Sequence, residues 1–278
     1  MISNGKFYES QFEEATIELL REAHWQYAFG DDIHRKYTDP LIEEDLRNFL
    51  AVQYKDKNLT TSEMDSIVAN LRNTGGQNDY YALRNTFLLY RDGYDFAYSD
   101  GRSNPFRLEY IDFEHPDHNI FRCVNQFVME QGRENRRPDI LLFINGIPVC
   151  IIELKNPTKQ NATIHDAHTQ ICTRYMRDIP ALLKYCALAV ISDGAKNALG
   201  ATYTPFEFFY EWKKIENEDK AGKGLDTLRT LIRGAISPER ILEILRDYVY
   251  FPDPTKEDDT TEIVCRYPQF FATRKLRD

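Results

Sequence analysis

The spacing of apolar residues divides the chain into a helical first part and a sheet-forming centre. Apolar positions through residues 7–23, among them Phe12, Ile17, Leu19 and Leu20, recur at helical spacing and predict an amphipathic helix. Asp39-Pro40 breaks the chain, and residues 41–54 and 62–72 then read as helices. The loop Gly75-Gly76-Gln77-Asn78-Asp79 precedes a tyrosine-rich helix. From Phe106 the pattern changes to short runs of β-branched and aromatic residues, predicting strands over 107–113 and 120–128. A helix follows over 162–176, stopped near Ile179-Pro180, then a short buried strand over 187–191 closed by Ser192-Asp193-Gly194, with 206–212 a candidate for one more. Residues 225–236 and 238–249 read as helices, and Pro252-Asp253-Pro254-Thr255 with Glu257-Asp258-Asp259 as a linker. The sum is an α/β (α+β mixed) fold: a central mixed sheet flanked by helices, after an N-terminal helical region.

Residues 139–155 carry most of the chemistry. Two apolar runs, joined by Asn145-Gly146, predict a hairpin with Asp139 at its entrance and Glu153 and Lys155 at its exit. Strands this apolar are normally buried on both faces. An ionised carboxylate there is costly unless it is paired or holds a metal. A divalent-metal site for phosphodiester hydrolysis meets that condition, since a cation acts as a Lewis acid and lowers the pKa of a water. Magnesium prefers oxygen ligands and keeps several waters, so Asp139, Glu153 and the carbonyl of Leu154 suffice; manganese is able to substitute. Lys155, two residues beyond Glu153, shares its face and is placed to stabilise phosphate charge or orient the attacking water.

The hairpin must meet one geometric condition. A two-residue turn pairs Ile144 with Ile147, which puts Asp139 opposite Ile152 and Glu153 on the other side of the sheet. For both acids to share a face, either the loop has three residues, with Ile144 opposite Pro148, or a bulge near Asp139 shifts the register.

Composition narrows the class. The first residues lack the basic start and apolar run of a signal peptide, and no apolar segment is long enough to span a bilayer, so the expected location is cytoplasmic, away from membranes. The five cysteines are scattered without a C-x-x-C pair, which fits buried reduced thiols. A net charge of −9 argues against strong autonomous binding of nucleic acid, because that affinity comes largely from Lys and Arg meeting phosphates. A local patch is present nevertheless: Arg133, Arg136 and Arg137 before the hairpin, Lys155, Lys159 and Arg174 after its first strand. A solvated turn explains the arginines equally well.

Pro138-Asp139 with Glu153-Leu154-Lys155 resembles the PD-(D/E)xK nuclease motif. The surrounding text resembles one branch of that superfamily, the N-terminal nuclease domain of the restriction (HsdR, R) subunit of type I restriction-modification enzymes. The residues that carry this are Phe12-Glu13-Glu14-Ala15, Val124-Asn125-Gln126-Phe127, Arg137-Pro138-Asp139, Asn145-Gly146-Ile147-Pro148, Ile152 to Pro157, Val190 to Gly194, and Pro205 to Phe209 with Trp212. The resemblance implies an endonuclease domain over 1–250, with a helical part over about 1–100 and a restriction-endonuclease-like catalytic core over about 101–250, and a site-specific deoxyribonuclease activity on double-stranded DNA. It further implies a glutamine and a tyrosine on the helix after the Glu-x-Lys strand. Gln170 fills the first place as a catalytic residue, and Tyr175, one residue further than the family spacing, is a candidate to stack on DNA or to pack. Four residues on a regular helix turn the face by about 40° and five by about 140°, so these two are not expected to share a face. An acid on the first helix also approaches the metal in related nucleases; Glu13 is preferred to Glu14.

Residues 263–271, Ile-Val-Cys-Arg-Tyr-Pro-Gln-Phe-Phe, resemble the element in which a glutamine, here Gln269, contacts adenine ahead of the helicase motor in these subunits. No Gly-x-x-x-x-Gly-Lys-[Ser/Thr] phosphate loop occurs in the sequence. Residues 251–278 therefore read as linker and start of an ATP-dependent translocase that is missing here. ATP would then belong to the full-length subunit, and the translocase, the methylase (M) and specificity (S) subunits and DNA would be the partners. Two other readings compete: a nuclease fold used for docking or DNA binding without cleavage, and a stand-alone repair nuclease. His165, His168 and Cys172 share a helix face, but one helix supplies only three ligands, and packing or capping is the simpler expectation than zinc.

Overall fold

A computed structural model describes residues 4–155, 163–216, 222–252 and 260–277, with side chains from residue 10. Among these, six strands form one mixed sheet: β1 Gln26–Phe29, β2 Phe121–Asn125, β3 Ile140–Ile144, β4 Ile147–Leu154, β5 Leu188–Ser192 and β6 Asn197–Ala201, neighbours in that order. β1 runs parallel to β2 and β4 parallel to β5; the other pairs are antiparallel. β3 and β4 are buried at every position, as a strand covered on both faces must be.

Except for the last, the helices fall where the spacing placed them. α1 is Asn4–Glu22, α2 Glu43–Gln53, α3 Thr61–Asn73 and α4 Asp79–Asp92. α3 starts on a capping box in which Thr60 and Glu63 exchange bonds, and α4 on the Asn78 side chain. α5, Ile164–Thr169, continues directly as a π turn over Gln170–Tyr175. α6 is Leu225–Ala235, α7 Pro238–Asp247, with proline in its first turn, and α8 Tyr267–Arg277.

Two buried clusters lie on the two faces of the sheet. The larger takes Ile140, Leu142, Ile144, Cys150 and Ile152 from β3 and β4 and joins them to α1–α4, α6 and α7. The smaller takes Leu141, Phe143 and Ile151 and covers them with Ala167, Ile171 and Tyr175 of α5 and its π turn. The indole of Trp25 donates to the carbonyl of Ile236 at 2.8 Å, tying the start of β1 to the end of α6. Phe270 of α8 is fully buried against Trp212 and Tyr248.

Three expectations need correction. The strand expected over 107–113 is cut to Phe106–Leu108 and pairs with Tyr94–Phe96 in a separate small hairpin. Residues 206–212 make a 3-10 turn and a single bridge, Leu199 to Tyr210, because the N–H groups of Phe208 and Phe209 are spent inside the turn on the carbonyls of Pro205 and Phe206. β1 and β6 carry no alternating pattern and were not expected; each borrows its ladder from a stronger neighbour.

Candidate active site

The β3–β4 hairpin decides which side chains meet. Ile144 pairs with Ile147 and Phe143 with Pro148, so the turn has two residues, Asn145 and Gly146, with φ of 51° and 77°. These are the left-handed values of a type I′ turn. The three-residue loop is therefore not formed. The alternative route, a bulge, is taken: the ladder resumes at Leu142 and Cys150, which leaves Val149 as the extra residue. It sits beside the turn and not near Asp139. Its effect on parity is visible in the core, where Ile147 and Val149 face the larger cluster and so do Cys150, Ile152 and Leu154. Ile140 now opposes Ile152. One step further along the ladder, Asp139 opposes Glu153, and both acids project on the face that α5 covers.

Asp139 accepts a hydrogen bond from the backbone N–H of Leu154 at 2.7 Å. A strand residue presents its N–H and C=O on the same side, so the Leu154 carbonyl leaves β4 toward Asp139 as well. On the other side of β4, the N–H of Lys155 donates to the carbonyl of Ser192 at 2.7 Å and fixes the strand end against β5. The Lys155 ammonium lies 2.7 Å from Glu153 Oε1 and 2.6 Å from Gln170 Oε1. Gln170 donates through Nε2 to the Tyr175 hydroxyl at 2.7 Å, and that hydroxyl donates to Glu153 Oε2 at 3.3 Å. Glu153 is thus held at both oxygens while only 1% exposed.

Gln170 and Tyr175 do share a face, against the helical-wheel expectation. Bonds in a π turn close over five residues, so residues five apart lie one above the other. The surplus residue between glutamine and tyrosine is absorbed there, and the spacing itself was the signal for it. Tyr175 is 3% exposed, so of the two alternatives for it, stacking on DNA or packing, the fold takes the second: its ring packs in the core and its hydroxyl serves Glu153. Burial first, then the charge of Glu153, raises its phenol above the usual range, so it stays protonated and able to donate.

Burial, and after it the charge of Asp139, push Glu153 up to about 8, with Lys155 and Tyr175 offsetting only part. A carboxyl whose folded value lies above its ordinary 4.5 contributes stability that is fully present below that value and is lost as pH rises through about 8. In chelator, the melting temperature of the wild type is expected to fall over that interval. In order of magnitude the loss is about 5 kcal/mol, at roughly 1.4 kcal/mol per pH unit. Glu153→Gln should flatten this dependence; equal slopes for the two proteins would remove Glu153 as its source.

The other expected site residues are placed less uniformly. Glu13 on α1 accepts from Asn125 Nδ2 at 2.7 Å and from Gln126 Nε2 at 2.9 Å, at the end of β2 whose last residue pairs with Ile140. It is half-buried, whereas Glu14 is exposed. Arg136 is engaged by Glu134 and by Asp178, the latter at 2.7 Å, so its guanidinium holds the chain before Pro138 and is not offered to a phosphate. Arg137 is exposed beside the site. Lys159 lies outside the described residues. Gln269 accepts from the N–H of Arg266 at 2.9 Å and, with Arg266, Tyr210 and Phe208, lines a pocket of about 360 Å³ remote in sequence from the acids. His168 donates from Nε2 to the carbonyl of Thr204 at 3.0 Å and sets its ring edge-on to Phe206 and Phe209, with His165 also against Phe206. That is packing, as expected for these histidines.

A sequence model of the family described as "Type I restriction enzyme R protein N terminus (HSDR_N)" matches residues 6–208. The chain is 29% identical over 283 residues to the type I restriction enzyme HindI endonuclease subunit of Haemophilus influenzae, covering 97% of this chain and 26% of that one. It is 28% identical over 290 residues to the putative type I restriction enzyme MjaIXP endonuclease subunit of Methanocaldococcus jannaschii, covering 96% of this chain and 27% of that one. Against the type I restriction enzyme EcoprrI endonuclease subunit of Escherichia coli it is 28% identical over 192 residues. The chain thus spans about a quarter of the length of the first two of these curated relatives.

Proposed function

The chain belongs to the family of type I restriction enzyme R protein N termini, and from that premise we propose that it is the metal-dependent endonuclease domain of a restriction subunit, hydrolysing DNA phosphodiester bonds through Asp139, Glu153, Lys155 and Gln170. The observation that carries the reading is the convergence of these four side chains on one face of the sheet, through the register shift at the Val149 bulge. The donor set fits the ion. Asp139 and Glu153 are close enough for the charge of one to raise the other, the Leu154 carbonyl leaves the strand on the side of Asp139, and an all-oxygen set suits Mg²⁺ or Mn²⁺. Such an ion would supply Lewis acidity toward the phosphate and lower the pKa of an attacking water.

The protein's own groups prepare the rest. Lys155 is locked by Glu153 and Gln170, so its charge is fixed in place before a phosphate arrives. Tyr175 fixes the Glu153 carboxylate from its other oxygen and orients Gln170, acting as a positioning residue. Glu13 stands behind Asn125 and Gln126 as an outer partner of the same corner. Arg137 and Lys159 are the candidate contacts to the DNA backbone. With a net charge of −9, the domain relies on a translocase, together with methylase and specificity subunits, to hold DNA and to deliver it by ATP-driven movement. ATP would bind in that longer subunit, with Gln269 on the adenine.

Nicking of supercoiled plasmid tests the reading, by this chain alone and by the assembled complex, with Mg²⁺, with Mn²⁺ and with chelator. Cleavage is expected only with metal, and far more of it in the complex. Because Glu153 must lose its proton to bind a cation, apparent Mg²⁺ affinity should rise with pH up to about 8 and level off above it. Cleavage in chelator equal to that in Mg²⁺ would overturn the proposal. Tyr175→Phe is expected to reduce cleavage by roughly tenfold, a loss of about 1.4 kcal/mol of positioning, with ATPase and melting temperature little changed. Unchanged cleavage would leave Tyr175 as core alone.

A further inference from the structure

A second group of ligating side chains lies at the opposite end of the hairpin. Asp112, His115 and His118 follow one another at intervals of three, the last on a 3-10 turn, Pro116–His118, that begins just after His115. Residues three apart nearly eclipse in such a turn. The two imidazoles accordingly stack, with ring centroids 4.8 Å apart and planes at 21°. One candidate ligand atom from each residue lies within 4.8 Å of the others.

The carboxylate is buried and the histidines are exposed. Asp112 Oδ1 accepts from the N–H groups of Glu114 at 3.0 Å and His115 at 2.8 Å. Oδ2 accepts from Gln53 Nε2 at 3.0 Å and from His118 Nδ1 at 2.9 Å. A carboxylate oxygen offers about two acceptor sites. His115 Nδ1 lies 3.4 Å from Oδ2, beyond good bonding distance. Two imidazole nitrogens thus face one buried carboxylate oxygen, and a cation among them would be held by a lone pair from each.

We propose that Asp112, His115 and His118 bind a borderline divalent transition-metal ion, Zn²⁺ or Ni²⁺. Two imidazoles with one carboxylate, and waters completing the shell, suit those ions and not Mg²⁺, which favours oxygen ligands. Closing the ligand atoms onto one ion needs only rotation of two exposed side chains. Both imidazoles must be neutral at the ligating nitrogen, so binding releases any proton held there.

Its position gives the ion a structural use. Asn119 Oδ1 accepts from the N–H of Asp112 at 2.9 Å and from Asn145 Nδ2 at 2.8 Å, which links this loop to the turn of the β3–β4 hairpin. Gln53 ties Asp112 to the end of α2. A metal on the loop therefore fastens the hairpin turn from outside, independently of the acids at its far end.

Titration calorimetry of the untagged chain with ZnCl₂ and with NiCl₂, read beside the melting temperature, tests this. Saturable binding of one ion and an upward shift in melting temperature are expected. His115→Ala, His118→Ala and the double variant should weaken the affinity by at least roughly tenfold, about 1.4 kcal/mol. Both side chains are exposed, so these variants should fold, and their melting temperatures without metal serve as the control. The ion expected here is the one that persists in Asp139→Ala, where the proposed active site has lost a ligand. No saturable binding, or binding unchanged in the double variant, would overturn the assignment; in the second case Asp139 and Glu153 or the other histidines would hold the ion.

Discussion

Glu153→Gln is expected, on the nuclease function proposed above, to reduce metal-dependent DNA cleavage by roughly a thousandfold or more. The substitution preserves shape and burial and removes only the charge. Glu153 is 1% exposed, with Lys155 at 2.7 Å on one oxygen and Tyr175 at 3.3 Å on the other, so glutamine keeps a partner at each position. What it cannot do is hold a cation against Asp139 as an anion. A loss of three decades corresponds to about 4 kcal/mol of transition-state stabilisation, the size expected when one preorganised charged group is removed. In chelator at pH above 8 the variant should be more stable than the wild type, because the ionised carboxylate that burial penalises is gone. This opposition separates a catalytic effect from a folding defect: a variant that melts at or above the wild type and does not cut has lost chemistry. Cleavage within tenfold of wild type would remove Glu153 from the reaction.

The parts of this site visible in the sequence are those carried by local chemistry. Asn-Gly between apolar runs specifies its turn, and acids on such runs are conspicuous because burial makes them costly. The need for a register shift was also legible, since parity alone demanded it. Its position is tied to Pro148, which has no N–H for the ladder and inside a central strand belongs at a bulge; the extra residue is the next one, Val149, and it shows in which core each neighbour enters, Val149 and Cys150 both facing the larger cluster. The π turn was legible in one sense, as a glutamine and a tyrosine one residue too far apart. A regular helix was nevertheless the wrong frame for reading it, because a surplus residue can be absorbed within the helix. Arg136 shows the limit of composition: in the chain it belongs to a basic patch, and in the fold Glu134 and Asp178 engage it. Strands β1 and β6 exist by virtue of their neighbours, which no local pattern reports.

Gly146→Ala should destabilise the protein strongly. Gly146 has φ of 77°, and a Cβ there would lie 2.1 Å from the carbonyl oxygen of Ile42 and 3.0 Å from its carbon. Both are backbone atoms at the start of α2, and they cannot swing aside as a side chain would. The contact is close because Ile42 donates its N–H to the Gly146 carbonyl at 2.9 Å, so relieving the clash breaks the bond that docks α2 on the turn. The neighbouring Asn145 is fully buried and bonds Ile120, Tyr110 and Asn119, which prevents the turn from moving the other way. The left-handed conformation alone costs an alanine about 1 kcal/mol. The clash and the lost bond bring the expected destabilisation to roughly 3–5 kcal/mol, at the far end of what single substitutions do. Gly132→Ala is the matched control. Its φ of 62° is equally left-handed, but nothing lies within 4 Å of the added carbon, so it should cost only the conformational part. Denaturant melts of the two variants beside the wild type decide the matter. If Gly146→Ala loses no more than Gly132→Ala, the turn is not clamped by α2 in solution, and the hairpin register that brings Asp139 opposite Glu153 must be held elsewhere.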